Sequence, residues 1–472
     1  MRRFFLFFLL LIEGCAGDPI HAPEIPSAET YTPSPVAEER LAPGKDVPAR
    51  WWSLFQSPAL DDLVRRALEA SPTLARTQAK MRQAQEDLSA RNGGQLPRVD
   101  AKLSANRVDV GPQSLSGPAL PVGFPLDLYL ATINVSYTFD FAGGTRRELE
   151  GLRAEVDHQS YELEAARLML AGNVVTTAIR EASLREQIAA TEEIIALQAR
   201  QVEIAGRLEQ LGGVAHADVV AQQRDLAQTR ATLPDLRRDL ERMRHRLAVY
   251  VGQAPGAPGL PEFRLAELQL PAELPLSVPS ELARRRPDIR AAEAVLTQAG
   301  ARVGVATANL YPQVTLSAQL GSLSTHAGDL FSSGTGFSLL GASLVQPLFH
   351  GGELQAKRRS AVAAYDQAGA AYKETVLQAL QNVADTLRAL EADEARLTQR
   401  ADAAAQAQRY REIAEERYRA GGLSLAAMLD ATRQYHRASL DRTQALADRY
   451  ADSAALFQAL GGGWWQDPST AP

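Results

Sequence analysis

Only one residue in the chain carries a thiol, Cys15, and its surroundings decide what that thiol could do. Arg2 and Arg3 precede an apolar run from Phe4 to Ile12, and Glu13-Gly14 separate the run from Cys15. A short basic stretch, an apolar stretch and small residues at a cut site are the parts of a secretory signal peptide. The run is about half the ~20 apolar residues a spanning helix needs, so it is not expected to persist as a membrane span. A free thiol exported to an oxidising compartment would be a liability, whereas a lipobox turns the same thiol into the acylated first residue of the mature chain. Leu11-Ile12-Glu13-Gly14-Cys15 has that pattern, with Ile12 and Glu13 as departures. Ala16 behind it, where some lipoproteins carry Asp, suits sorting to an outer membrane. The expectation is a signal peptide over 1–14 and lipidation at Cys15.

Other reactive constellations are hard to find. The sequence holds no GxGxxG, Walker A, GxSxG or HExxH motif and no paired cysteines. His158, His216, His245 and His436 have no partner at helical spacing, so surface positions are expected rather than metal ligands. No catalytic residue, metal site or cofactor is expected. Arg284-Arg285-Arg286 is the densest basic run, and a solvated stretch paired with neighbouring acids is the expectation there. With a net charge of −6 and the basic residues interspersed among acids, nucleic acid is an unsuitable partner.

The elements that hold these residues are repeated. A Pro-rich segment over 15–50 reads as an extended, lipid-anchored spacer, and Trp51-Trp52 open the folded part. Ser71-Pro72-Thr73-Leu74 through Leu96-Pro97 then matches Arg286-Pro287-Asp288-Ile289 through Tyr311-Pro312, with both prolines at unchanged separation. Phe141-Ala142-Gly143-Gly144 matches Phe349-His350-Gly351-Gly352. Asn173-Val174 matches Asn382-Val383, Gly212-Gly213 matches Gly421-Gly422, and Gly252 matches Gly461. The expected organisation is repeat 1 over 51–252, a linking segment over 253–280, repeat 2 over 281–465 and a tail over 466–472.

Each copy has the same grammar. A helix begins at Pro72 or Pro287, where the missing N–H costs little, and ends before Pro97 or Pro312. Strands follow at about 98–109 and 129–141, then 312–324 and 337–349. Within them Ile133, Val135, Tyr137 and Phe139 alternate with Asn134, Ser136 and Thr138, and Val314, Leu316, Ala318 and Leu320 alternate with Thr315, Ser317 and Gln319. Period-two patterning gives one apolar and one polar face, as between lipid and a wet lumen. Four such strands cannot close in lipid, where open edges are not tolerated, so several chains must contribute. Thr145–Glu209 and Glu353–Ala420 contain no proline; at 1.5 Å per residue each would extend for about 100 Å. Leu170, Val174, Thr177, Leu184, Ile188, Ile195 and Val202 follow coiled-coil steps, as do Val376, Leu380, Val383, Leu387, Leu390 and Leu397. Glycine pairs at Gly212-Gly213 and Gly421-Gly422 allow the chain to reverse.

These residues add up to a family pattern. The chain resembles the TolC-type outer-membrane efflux family, and within it the NodT-type lipoproteins of multidrug (RND) efflux systems. The likeness is carried by Pro279-Ser280-Glu281-Leu282, Arg285-Arg286-Pro287-Asp288-Ile289-Arg290, Gly304 through Pro312, Gln346-Pro347-Leu348-Phe349 before Gly351-Gly352, and Leu247 through Gly252. The resemblance implies a mainly α fold with a small membrane β part. Duplicated long helical hairpins with two strands each would trimerise into a twelve-stranded barrel continued by an α-helical periplasmic tunnel. It implies an outer-membrane channel of a tripartite pump, gated at its periplasmic end. The partners would be two further copies, a periplasmic membrane-fusion adaptor docking at the hairpin turns (Gly212, Gly213, Gly421, Gly422), an inner-membrane RND-type transporter and outer-membrane lipid. Tyr418, Arg419 and Asp430 on the second hairpin, and Asp218 on the first, match the family's gate. Leu423, Ala427 and Ala217 depart from it, which implies a thinner or differently wired lock. For Asp218 and Asp430 the alternative is a carboxylate favoured by the helix dipole near a hairpin turn. A type I protein-secretion duct and a non-pore coiled-coil lipoprotein are the alternatives for the whole chain.

Overall fold

A computed structural model describes residues 30–34, 36, 40–110 and 124–466. Cys15, the signal segment and most of the Pro-rich stretch lie outside them. Among the described residues the chain forms two compact units, one within 81–158 and 292–372, the other within 30–80, 159–291 and 373–466.

The duplication is visible in the helix lengths. Helices α1 (Pro58–Ala70) and α2 (Pro72–Gly93) precede the first pair of strands, and α3 (Gly144–Gln210) and α4 (His216–Tyr250) follow it. In the second copy the corresponding elements are α5 (Pro279–Arg285), α6 (Pro287–Ala308), α7 (Glu353–Arg419) and α8 (Leu425–Ala459). Three of the four matching pairs are equal in length, with 22 residues in α2 and α6, 67 in α3 and α7 and 35 in α4 and α8, while α1 has 13 and α5 has 7. No described helix is long and apolar enough to cross a membrane.

The first unit holds a four-stranded antiparallel sheet in the order β2 (Arg98–Val110), β3 (Phe124–Phe139), β5 (Gln313–Ser324), β6 (Gly336–Val345). Its register is unbroken by bulges, so one parity shares each face. Val99, Ala101 and Leu103 lie beside Val135, Ile133 and Ala131, and Val135 and Ile133 lie beside Ala318 and Leu320. The opposite face carries Arg98, Asp100 and Lys102, then Ser136, Asn134 and Thr132, then Ser317, Gln319 and Gly321. The hydroxyls of Thr138 and Thr315 meet across strands at 3.1 Å on that polar face. Leu103 at 74 % and Ile133 at 51 % exposure leave the apolar face uncovered within one chain. Among the described residues β2 and β6 each have a single strand neighbour, so both outer edges stand open.

Two strand limits differ from the sequence expectation. Strand β3 begins at Phe124 because its first residues pair only with β2; β5 joins from Tyr129 onward. Pro125 is thus placed where its missing N–H deprives no second neighbour. Strand β6 stops at Val345 rather than continuing to 349. Pro347 follows, and the Gln346 side-chain amide bonds the carbonyls of Leu310 (3.2 Å) and Pro347 (2.9 Å) in place of a ladder. Below the sheet, Asp140 accepts from the backbone N–H groups of Thr145 (3.0 Å) and Arg146 (2.9 Å) and starts α3. Small residues let α3 and α6 approach: a Cβ on Gly151 would lie 3.4 Å from that of Ala301.

In the second unit, the rings of Trp51, Phe55, Tyr450 and Phe457 form a buried cluster, and Leu60, Leu63 and Phe263 are buried as well. Trp51 lies 5.4 Å from Phe457 between ring centroids. The end of the expected spacer is part of this body. Strand β1 (Leu41–Pro43) pairs in parallel with β4 (Leu274–Leu276), and Val47 is buried. Leu274 N–H donates to the Arg40 carbonyl at 2.7 Å, so the backbone is held before Trp51. The basic run is also less solvated than expected. Arg286 is buried, ion-paired to Asp288 (2.6 Å) and bonded to the Ala459 carbonyl at the end of α8 (2.9 Å). Arg285 pairs with Asp46 and stacks 5.1 Å from the Trp465 ring.

If the apolar face of the sheet meets lipid, Ile133→Lys costs about 2–4 kcal/mol at the bilayer midplane, while Asn134→Lys on the neighbouring polar parity costs little. Membrane flotation of the two variants checks this: strong loss of incorporation is expected for the first only, and equal incorporation would reverse the assignment of faces.

Candidate functional site

The hairpin turns are built by one device used twice. Gly212 has φ +73° and Gly421 φ +76°, the left-handed conformation that closes a helix. Gly213 N–H reaches back to the Leu208 carbonyl (2.7 Å) and Gly212 N–H to Glu209 (2.9 Å); Gly422 reaches Arg417 (2.8 Å) and Gly421 reaches Tyr418 (3.0 Å). This double reach is a Schellman stop, and it satisfies carbonyls that a helix end leaves orphaned. Only the first glycine of each pair needs the positive φ. The second is set by its hydrogen bond, not by conformation.

After the turns the copies differ. Ser424 Oγ accepts from Ala427 N–H (3.2 Å) and caps α8. In α4 the cap position is Ala215, and Asp218 substitutes by accepting from the Ala215 N–H at 3.3 Å. His216 Nδ1 lies 2.7 Å from a Glu209 oxygen across the same turn.

Of the four residues expected at a gate, the structure brings two together. Asp218 and Asp430 line one groove of about 390 Å³ with Gln198, Gln201, Gln222 and Arg433. Asp430 is held on both oxygens, by Arg433 through an ion pair and by the Gln434 amide at 2.6 Å. Sequence reasoning passed over Arg433, although its position one helical turn after Asp430 is a sufficient signal. A second groove of about 600 Å³ shares Gln198, Asp225 and Arg433 with the first and is bordered by Gln187 and Gln444, whose amides bond at 2.9 Å. Tyr418 and Arg419 line neither groove. Tyr418 is 39 % exposed, and Arg419 meets Glu415 of its own helix at 3.7 Å.

Further along the hairpins lie two buried charge clusters that periodicity could not show, because they depend on which helix faces meet. Glu181 is fully buried and accepts from Arg185 (2.8 Å) and Arg244 (3.4 Å), both of which also reach Glu262. Burial raises the Glu181 carboxyl above its ordinary range, against the pull of those arginines. The linking segment is tied here as well: Leu265 N–H donates to Glu186 (3.2 Å), and Tyr450 Oη donates to the Leu268 carbonyl (2.6 Å). On the second hairpin Asp393, 1 % exposed, pairs with Arg396 at 2.6 Å. Burial, then the hydrogen bond and charge of Asp452, push its carboxyl up to about 7. Among the described residues no group of His, Cys, Asp and Glu is arranged to hold a metal ion.

The sequence profile described as "outer membrane efflux protein" matches twice, over residues 63–253 and 278–462. The chain belongs to the outer membrane efflux protein family. The two matched stretches are the two copies of the repeat. Among relatives of this efflux protein, the pyoverdine export outer membrane protein OpmQ of Pseudomonas aeruginosa is 33 % identical, over 89 % of this chain and 88 % of that one. Nodulation protein T of Rhizobium leguminosarum bv. trifolii is 26 % identical over 96 % of this chain and 95 % of its own. The solved outer-membrane channel OprN superposes with a TM-score of 0.81 at 28 % identity, covering 96 % of this chain and 98 % of that one. The efflux family is one of transport channels, and its fold is the duplicated helical and β architecture described above.

Asp393 binds a proton more tightly folded than unfolded, where its value is 3.8, so its contribution to stability falls as pH rises from about 4 to about 7. Asp393→Asn is expected to flatten the pH dependence of thermal stability across that window. Melting curves of the detergent-solubilised protein check it, and an unaltered slope would refute it.

Proposed function

We propose that three copies of this chain form a passive outer-membrane exit duct of a tripartite efflux pump. The observation that carries the reading is the four-stranded sheet with two open edges, one apolar face and one polar face. An open edge in hydrocarbon leaves backbone N–H and C=O groups unsatisfied at several kcal/mol each. Joining β6 of one chain to β2 of the next removes every edge, and three chains give twelve strands, an allowed size for such barrels. The polar face then lines the bore and the apolar face meets lipid. The helices continue the bore as a tunnel on the periplasmic side, where the hairpin turns at Gly212-Gly213 and Gly421-Gly422 meet a membrane-fusion adaptor bound to an RND-type transporter. Cargo passes unchanged: the chain acts as a conduit and not as an enzyme, and selection of drugs or other small molecules rests with the inner-membrane partner.

The reading includes three further assignments. Cys15, acylated after removal of residues 1–14, anchors each chain to the outer membrane, and the start of 15–50 links that anchor to the body, which Ser34 already meets through Arg388 of α7. The segment 253–280 ties the two repeats, 51–252 and 281–465, and 466–472 is a tail. Asp218, Asp430, Tyr418 and Arg419 form the periplasmic gate. Asp218 and Asp430 share a groove near the turns, where three symmetry-related carboxylates of each kind would attract cations and repel anions. Tyr418 and Arg419 are exposed in one chain, and Arg419, held only by Glu415 of its own helix at 3.7 Å, can reach a carboxylate of a neighbouring hairpin.

Single-channel recordings of the purified protein in planar bilayers test both levels. Conductance from a detergent-resistant trimer is expected, and a monomer without conductance would refute the duct. Tyr418→Phe with Arg419→Ser is expected to raise conductance severalfold by loosening the closed end; wild-type conductance would remove those two residues from the gate.

A further inference from the structure

The polar face of the sheet is nearly uncharged, and its exceptions stand together. On β3, β5 and β6 that face is uncharged: Ser136, Asn134 and Thr132 lie beside Ser317, Gln319 and Gly321, then Gly341, Leu339 and Phe337, and further along β3 the same parity turns apolar with Leu130, Leu128 and Leu126. Its only charged side chains are Arg98, Asp100 and Lys102 of β2, at alternate positions and exposed. The remaining described strand charges with assigned contacts, Arg107 and Asp127, belong to the other parity and pair with each other at 3.9 Å. Among the described residues Arg98, Asp100 and Lys102 form no ion pair. The next chain does not supply one from its joining strand, because β6 contains no charged residue at all.

We propose that Arg98 and Lys102 make the barrel segment of the duct favour anions, so that anionic solutes meet a wall of matching charge as they leave. The inference rests on the trimeric duct proposed above. Each chain contributes two cations and one anion to the bore, and Asp100, flanked on both sides, offsets only one of them. Twelve strands about 4.8 Å apart and tilted by about 40° close on a radius of roughly 12 Å. Long side chains from three copies of β2 extend inward from that wall. A passing ion therefore stays within about one Debye length, ~8 Å at physiological salt, of a fixed positive charge. Three-fold symmetry sets the stripes evenly around the bore, so no path along it avoids them. The sign is opposite to that of the carboxylates near the hairpin turns, and the two zones discriminate independently.

The test is the chloride-to-potassium permeability ratio of the full-length channel in planar bilayers, taken from the zero-current potential in a KCl gradient. To expose the barrel's share, the recordings use an Asp218→Asn, Asp430→Asn background. Adding Arg98→Gln and Lys102→Gln is expected to lower the ratio by about threefold, and Asp100→Asn alone to raise it. Both changes should shrink at 1 M salt, where the Debye length is ~3 Å, which a merely structural perturbation would not do. Channels that conduct normally with an unaltered ratio in both variants would overturn the stripe while leaving the duct intact. Absence of conductance from the unsubstituted protein would overturn the duct itself.

Discussion

Backbone hydrogen bonding in a solvent that offers none is the constraint on which the rest of this molecule depends. Every N–H and C=O of a lipid-embedded strand must find a protein partner, and β2 and β6 each leave one side unsatisfied. A single chain could meet the demand only by burying those edges against its own helices. The register instead leaves an apolar face with Leu103 and Ile133 exposed, opposite a face that carries hydroxyls and amides from Thr132 to Thr138 and from Gln313 to Gln319. Such a sheet is a segment of a closed wall. The duplication follows the same logic: each copy brings two strands and a long hairpin, so strand count and helix count rise together.

In the helical hairpins the copies have to solve a different problem, that of holding very long helices in register. Apolar seams alone would permit sliding, since a coiled-coil stripe looks alike one heptad further on. The buried charges remove that freedom. Glu181 fixes α3 to α4 through Arg244 and to the linking segment through Glu262. Arg449 donates to the Leu390 carbonyl at 3.0 Å and meets Glu394 at 3.4 Å, joining α8 to α7. A buried pair is a poor source of net stability but a strict judge of alignment. The two hairpins are pinned by different residues, and the second has the larger excess of carboxylates around its cluster.

Much of the architecture was legible in prolines, glycines and alternation. Pro72, Pro287, Gly212 and Gly421 mark real helix ends, because a missing N–H and a left-handed φ are local properties that need no tertiary context. The strand faces were equally readable, since period two survives any environment. What escaped was set by contacts between distant segments. Leu41–Pro43 has no strand signal of its own and is ordered by pairing with Leu274–Leu276. Arg286 sits in a run that looks solvated and is buried because α8 ends against it. At the turns, Asp218 and Asp430 do share a groove, and the spacing of Arg433 from Asp430 on one helix was readable, but Tyr418 and Arg419 find no distant partner among the described residues.

The equal lengths of the corresponding hairpin arms have a consequence for how such a molecule can evolve. Deleting one residue from α3 alone would draw its turn back by about 1.5 Å and rotate everything beyond the deletion by about 100°. The apolar seam would then face away from α4, and the two tips of one chain would no longer end level. Correcting the deletion would require a compensating loss in α4, and matching losses in α7 and α8. Indels in the arms are therefore penalised singly and tolerated only as coordinated sets of whole turns, so drift in this chain should accumulate as substitutions while its length stays frozen.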